Sequence, residues 1–174
     1  GGSIEIFLEP EIPVPHVIVV GSTPVARALA VLGEGLGLEM ELTDGSAATP
    51  VESDAAVIVA SHGKEEEPAL EAAIRAGVPY IALVASEKRG AAVLASLDVA
   101  EEQRARVFSP AGLEIGATSP AEIALSILAQ LVAERSGVAA EEPAIVTAVD
   151  PVCGMEVVAV ETSLHVDLGG TRTY

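Results

Sequence analysis

Four short clusters in this chain combine residue types that hold anions and flat polar ligands. The first is Gly21-Ser22-Thr23-Pro24, a glycine turn with two hydroxyls at the start of a helix marked by Pro24. A helix N-terminus directs free backbone N–H groups and a partial positive charge at whatever lies before it, so it favours an anion. The second is Ser61-His62-Gly63-Lys64, where the imidazole can bond a ligand heteroatom or stand near a metal centre. The third is Ser86-Glu87-Lys88-Arg89, whose two cations can hold a phosphate by charge-assisted hydrogen bonds. The fourth is Ala111-Gly112-Leu113, where Gly112 lets backbone approach a flat ligand. Asp44 lies about 20 positions past the first glycine, the spacing at which a dinucleotide fold places an acid on a ribose hydroxyl. Each feature also has a plain structural reading. Thr23 can be only an N-cap, Asp44 only a turn residue, His62 a turn residue with a partnered ring, and Lys88 and Arg89 a solvated helix start. The chemistry on offer is binding. No Ser/His/Asp nucleophile pattern, Walker loop or H-E-x-x-H motif occurs in the sequence.

These clusters fall where an alternating series of strands and helices would place them. Apolar runs over His16 to Val20, Leu38 to Leu42, Ala55 to Ala60 and Tyr80 to Val84 read as buried strands, with a short fifth at Val107 and Phe108. Helices are expected from Pro24 to Gly33 or Gly37, Glu65 to Ala76, Lys88 to Leu97, Glu101 to Arg106 and Ala121 to Arg135. Ser119, Pro120 and Glu122 form an N-cap, a first-turn proline and the closing acid of a capping box. Strands alternating with helices define a doubly wound, mostly parallel α/β sheet, and a glycine at the first crossover makes it Rossmann-like. In such sheets ligands bind at the carboxyl ends of the strands, and all four clusters arrive there. The dinucleotide fingerprint G-x-G-x-x-G is broken, because Thr23 stands at its second glycine.

Ile4 to Leu8 alternates as a short strand, and Pro10, Pro13 and Pro15 stiffen a lead-in over 1–15. The α/β domain spans 16–137, a small acidic stretch over 138–147 reads as a linker, and 148–174 is Val-rich and strand-like. The chain opens Gly1-Gly2-Ser3 and stops at Tyr174 inside a strand-like pattern, so it reads as a piece of a longer protein. Half of its 174 residues are apolar and almost all of those are aliphatic, as suits helices packed on a parallel sheet. A net charge of −17 opposes nucleic acid and anionic membranes. One cysteine forms no internal disulfide and fits a reducing, cytoplasmic setting, and neither a signal peptide nor a membrane-spanning run is visible.

The stretch from Pro110 through Ile115-Gly116-Ala117 and Ser119-Pro120-Ala121-Glu122-Ile123-Ala124 to Ala129 resembles the P-x-G-L-x-I-G-A-x-[TS]-P-x-E-I-A-x-S-I-x-A segment of the XdhC/CoxI accessory proteins, which mature molybdenum hydroxylases. Ser61-His62 with Pro68-Ala69-Leu70 resembles that family's T-H-D/N loop, and Tyr80-Ile81-Ala82 with Ala85-Ser86 its fourth-strand loop, with both glycines changed to alanine. Gln130 stands where the family often has Glu. The resemblance implies a maturation factor that binds molybdenum cofactor (molybdopterin) and hands it to a xanthine-dehydrogenase-type or carbon-monoxide-dehydrogenase-type apoenzyme. It further implies association with a cysteine desulfurase and a homodimer built on the last helix. Its implied ligand residues are Gly21, Ser22, Thr23, Asp44, Ser61, His62, Ser86, Lys88, Arg89, Gly112 and Leu113. The alternative left by the fold is an NAD(P)-binding oxidoreductase.

Asp150-Pro151-Val152-Cys153-Gly154-Met155 resembles the opening of a YHS domain, whose later cysteines are absent before Tyr174. Cys153 and Met155 are soft ligands that suit Cu(I) or zinc, which leaves a metal chaperone as a third expectation.

Overall fold

In a computed structural model of the chain, the residues described are 14–44 and 47–136, with the backbone of 147–149, 156–158, 166–168 and 171–173. The expected strand at Ile4 to Leu8, most of the linker, and Cys153, Gly154 and Met155 lie outside them. The chain divides into two units, Gly1–Gly137 and Val138–Tyr174.

The first unit is built on five strands, β1 (His16–Val20), β2 (Glu39–Thr43), β3 (Ala56–Val59), β4 (Tyr80–Leu83) and β5 (Val107–Phe108), all parallel and in the order β2-β1-β3-β4-β5. Its helices are α1 (Pro24–Gly35), α2 (Glu66–Ala76), α3 (Glu87–Ser96), the short α4 (Glu101–Arg104) and α5 (Pro120–Arg135). This is the doubly wound parallel α/β sheet that the sequence implies. The chain winds outward from β1 to β2 and then returns to the other side of β1 with β3. The topological switch point therefore lies between β1 and β3.

Alternation along each strand divides the core in two. Val17 and Val19, Ala56 and Ile58, and Tyr80 and Ala82 pack with Ala26 and Leu29 of α1 and with Ala124, Ile127, Leu128 and Leu131 of α5. Ile18 and Val20, Val57 and Val59, and Ile81 and Leu83 pack with Ala69, Leu70, Ala73 and Ile74 of α2 and with Val93 of α3. Strands covered on both faces need apolar residues throughout, which is why β1, β3 and β4 read as unbroken apolar runs. Edge strand β2 is different: its residues are exposed or half-buried.

The helix ends follow local chemistry. Thr23, Ser86 and Ser119 are the N-caps of α1, α3 and α5. Glu122 closes the capping box by accepting from the Ser119 N–H at 2.8 Å and the Thr118 N–H at 2.9 Å. At the far ends, Leu38 N–H reaches the Gly33 carbonyl and Val78 N–H the Ala73 carbonyl, the Schellman pattern. Both Leu38 and Val78 are buried, so each cap also aims the chain into its next strand. Boundaries differ slightly from the sequence reading. The third helix starts at Glu87 because Ser86 is its cap, and the fourth ends at Arg104 rather than Arg106, while the fifth strand covers Val107 and Phe108 as expected.

In the second unit, β6 (Thr147–Val149) pairs antiparallel with β7 (Glu156–Val158), and β8 (Val166–Leu168) pairs antiparallel with β9 (Thr171–Thr173).

Candidate functional site at the carboxyl edge

Gly21 fixes the geometry of the switch point. Its φ is +123°, and a Cβ there would stand 2.5 Å from the Ala60 carbonyl oxygen. The residue lets β1 turn into α1 in direct contact with the end of β3. Thr23 then ties the same corner together. Its hydroxyl donates to the Ala60 carbonyl at 2.8 Å and accepts from the Ala26 N–H at 3.2 Å.

Among the described residues, three cavities line this edge. The largest, about 730 Å³, is lined by Gly21, Ser22, Leu42, Thr43, Asp44, Ser61, Lys64 and Glu65. It collects the ends of β1, β2 and β3. Asp44 lines it while its carboxylate accepts from the Ala47 N–H at 3.1 Å, so it is both a wall and a turn residue. On the other side of the Thr23–Ala60 contact run two more apolar grooves. One of about 440 Å³ is bounded by Thr23, Pro24, Val25, Ala60, Val84 and Pro120. One of about 420 Å³ is bounded by Ala85, Ser86, Arg89, Ala111 and Ile123. His62 and Val84 line both grooves and form the seam between them.

The turn that carries His62 is conformationally unusual. His62 has φ +59° and Glu65 φ +50°, the left-handed region that costs a non-glycine residue roughly 1 kcal/mol or more. Glu66 stabilises this turn. Only 2% exposed, it accepts from the Gly63 N–H at 2.8 Å and from the Ser61 hydroxyl at 3.4 Å. Its two oxygens also take a fork from Arg89, at 2.6 and 2.9 Å. Burial opposes its ionised form, but the Arg89 fork and the Gly63 and Ser61 bonds outweigh burial and hold its carboxyl below the usual carboxylate range. Arg89 also donates to the Val84 carbonyl at 3.3 Å, so its guanidinium is fastened to the groove wall.

The sequence-derived residues thus divide into groups. Gly21, Ser22, Asp44 and Ser61 line the large cavity, while Thr23, His62, Ser86 and Arg89 line the grooves. Lys88 is exposed and is not among the residues lining these cavities. Gly112 and Leu113 turn toward α5. The close approach that requires glycine at 112 is to Ser126 and Ile127, and the Gly112 N–H donates to Gln130 at 2.9 Å. Gln130 takes a second bond from the Tyr80 hydroxyl at 2.8 Å, so one amide oxygen joins the last loop to β4. Leu113 N–H bonds the Ser126 carbonyl, and neighbouring Ala111 is the residue that reaches the groove. The sequence reading missed Glu66, and it placed Lys64 in the second cluster without giving it a ligand role. Position after a strand end marks Lys64, but nothing local marks Glu66 as the partner of Arg89. Among the described residues no group of His, Cys, Asp and Glu is placed to hold a metal ion, and no helix is long and apolar enough to cross a membrane.

A five-stranded parallel sheet with a crevice at its switch point, and a glycine turn and a helix N-terminus on the rim, defines a Rossmann-like domain. The chain belongs to the XdhC Rossmann domain family, whose sequence profile matches residues 17–131. It is 28% identical over 159 residues to the uncharacterized protein YqeB of Escherichia coli, covering 75% of this chain and 29% of that protein. It is 26% identical over 159 residues to a probable xanthine dehydrogenase subunit of Bacillus subtilis, covering 77% of this chain and 47% of that one. The chain therefore spans less than half the length of either relative. In fold it is similar to the crystal structure of a xanthine dehydrogenase from Bacillus halodurans, with TM-score 0.60 and 22% identity over 75% of this chain and 46% of that chain.

Proposed function

We propose that this chain is part of an accessory factor for molybdenum hydroxylases of the xanthine dehydrogenase type. In this reading it binds molybdenum cofactor at the carboxyl edge and passes it to the apoenzyme. The observation that carries the reading is the family match together with the paired apolar grooves seamed by His62. A pterin is flat with a polar rim and carries a phosphate on its side chain. Pro24, Val25, Val84, Ala111, Ile123 and Pro120 supply flat apolar walls, and His62, Ser86 and the Arg89 edge supply polar contacts. Ser22 at the α1 N-terminus and Lys64 in the adjoining cavity suit a phosphate. The residues present fit the group in kind. When bound, it carries the molybdenum that the client enzyme uses. The work of this chain is to hold the pterin, exclude water from its face, and release it to a partner. A client apoenzyme and a cysteine desulfurase belong to the same proposal, as does a homodimer.

A second reading has its own observation. The large cavity joins the Gly21 turn to Asp44 at the end of β2, the pairing that holds a nucleotide ribose in dinucleotide-binding folds. The test is anaerobic titration of the whole chain with released molybdenum cofactor, with NADH and NADPH in parallel. Saturable binding of the pterin alone, weakened in His62→Ala, supports the accessory factor. Binding of a nicotinamide nucleotide without the pterin overturns it in favour of the oxidoreductase.

A further inference from the structure

Glu66 is a costly residue at its position. It is a carboxylate at 2% exposure, and the donors around it come from the β3–α2 turn and from α3. Ordinary helix starts place an acid in the first turn at the surface, where the macrodipole alone favours it. Here the acid points inward and makes four bonds, from Ser61, Gly63 and both terminal nitrogens of Arg89. Ser61 and Arg89 line the cavities of the site, and Gly63 lies in the turn that carries His62. Between the Ser61 and Gly63 donors sits His62, with its left-handed backbone, and the residue just before Glu66 is left-handed too. A turn with two such residues relaxes to an easier conformation unless something over-determines it. Glu66 is the side chain that bonds this turn on both sides of His62, at Ser61 and at Gly63. The same carboxylate holds Arg89 by a two-pronged fork, and Arg89 lines the groove with Ser86 and Ala111.

We infer that Glu66 is the positioning residue of the carboxyl edge: it holds the strained Ser61–Glu65 turn so that the His62 ring stands at the seam of the two grooves, and it clamps Arg89 as a neutralised wall rather than a free anion ligand. The inference deepens the accessory-factor reading, in which His62 and the Arg89 edge meet the pterin. It assigns the role to a residue that touches the ligand only through others.

The test uses the full chain with nitrogen-15-labelled histidine. The sequence holds three histidines, and His62→Asn identifies the His62 signals by their loss. Glu66→Gln keeps the size of the side chain and one acceptor but removes the charge that fastens Arg89. His62 is exposed at the mouth of the grooves, and its ring resonances are expected to shift in Glu66→Gln as the turn relaxes, while those of His16, at the opposite end of β1, stay in place and report that the sheet is intact. Arg89→Lys, which cannot form the fork, is expected to move His62 in the same direction and by less. In the pterin titration, Glu66→Gln and His62→Asn should each weaken binding about tenfold, and the double variant should be no worse than either single one. Unmoved His62 resonances in Glu66→Gln overturn the inference, and so do additive losses in the double variant. If Glu66→Gln is unfolded, Arg89→Lys decides by the same His62 readout. A shift of His62 in a chain that binds no pterin at all supports the positioning role and defeats the accessory-factor reading, so the two fail separately.

Discussion

Gly21→Ala tests the corner that borders the large cavity and the groove beside it. The added Cβ would stand 2.5 Å from the Ala60 oxygen, and 2.7 Å from both the Ala60 carbonyl carbon and the Ser61 Cα. All three are backbone atoms, so no side chain can swing away. Relief requires the ends of β1 and β3 to separate. That movement strains the Gly21 N–H to Thr43 carbonyl bond and the Ala60 N–H to Val20 carbonyl bond, each 2.8 Å. It also strains the Thr23 hydroxyl bond to the Ala60 carbonyl, again 2.8 Å. Forcing a methyl into packed backbone and holding alanine at φ +123° together cost about 2–6 kcal/mol. That is a large share of the roughly 5–15 kcal/mol that holds a domain folded. Urea unfolding is the assay, and the midpoint should fall with the slope unchanged. A thermal scan should drop by about 3–6 °C per kcal/mol lost. The internal control is Gly35→Ala at the end of α1, where a Cβ meets nothing within 4 Å, so the change should be neutral or slightly stabilising. A Gly21→Ala protein within about 0.5 kcal/mol of the parent would refute the reasoning, since that is the range of an ordinary surface substitution.

Other perturbations read separate parts of the scaffold. Tyr80→Phe keeps the ring stacked on Phe108 at 5.1 Å but deletes the bond to Gln130, and should cost about 0.5–1.5 kcal/mol by urea titration. Glu122 is held at about 2 by the Ser119 and Thr118 backbone bonds. Its contribution is present above the unfolded value near 4.5 and is lost as pH falls toward 2, so Glu122→Gln should flatten that limb of the stability–pH curve. His16 has a raised pKa, through its 2.8 Å bond to Asp54 first and, against a desolvation cost, through attraction from Asp54, Glu41 and Glu39. A raised histidine stabilises below its unfolded pKa and loses that contribution as pH rises through the folded value. His16→Asn should therefore cost more at about pH 6 than at about pH 9 in paired urea titrations.

Much of the fold is legible in sequence because its signals are local. Thr23, Ser86 and Ser119 cap helices from their own turn, and the apolar runs of β1, β3 and β4 mark strands covered on both faces. The place of the site is legible for a similar reason, since strand ends in this topology meet at one edge. What each residue does there is less so. Thr23 as a side chain at a glycine position argues against a phosphate loop, yet it says nothing of the hydroxyl bond that reaches the Ala60 carbonyl 37 residues away. Gly112 reads as an opening for a ligand, and its close neighbour turns out to be α5. Sheet order was also beyond local reading, because it depends on which faces of the helices find cover.

The largest gap concerns charge. Lys88 and Arg89 read as two cations at a helix start, available to a phosphate. In the structure the Arg89 charge is balanced by Glu66, a carboxylate 23 residues earlier in the chain that is buried beneath it. Pairs of that separation cannot be counted from sequence, and each one removes a cation from the site's field. The remaining field is that of a protein with net charge −17, which repels an anionic ligand. Recognition of such a ligand must then rest on short-range contacts, the α1 N-terminus, Lys64 and the apolar walls. Added salt screens the long-range repulsion more than these contacts. The affinity for the pterin phosphate or a nucleotide should therefore stay flat or rise as ionic strength goes from about 50 to 500 mM, a range over which the screening length falls roughly threefold. An affinity that falls tenfold over that range, measured in the same anaerobic titration, would mean that free cations dominate the site and that the Arg89 fork opens to the ligand.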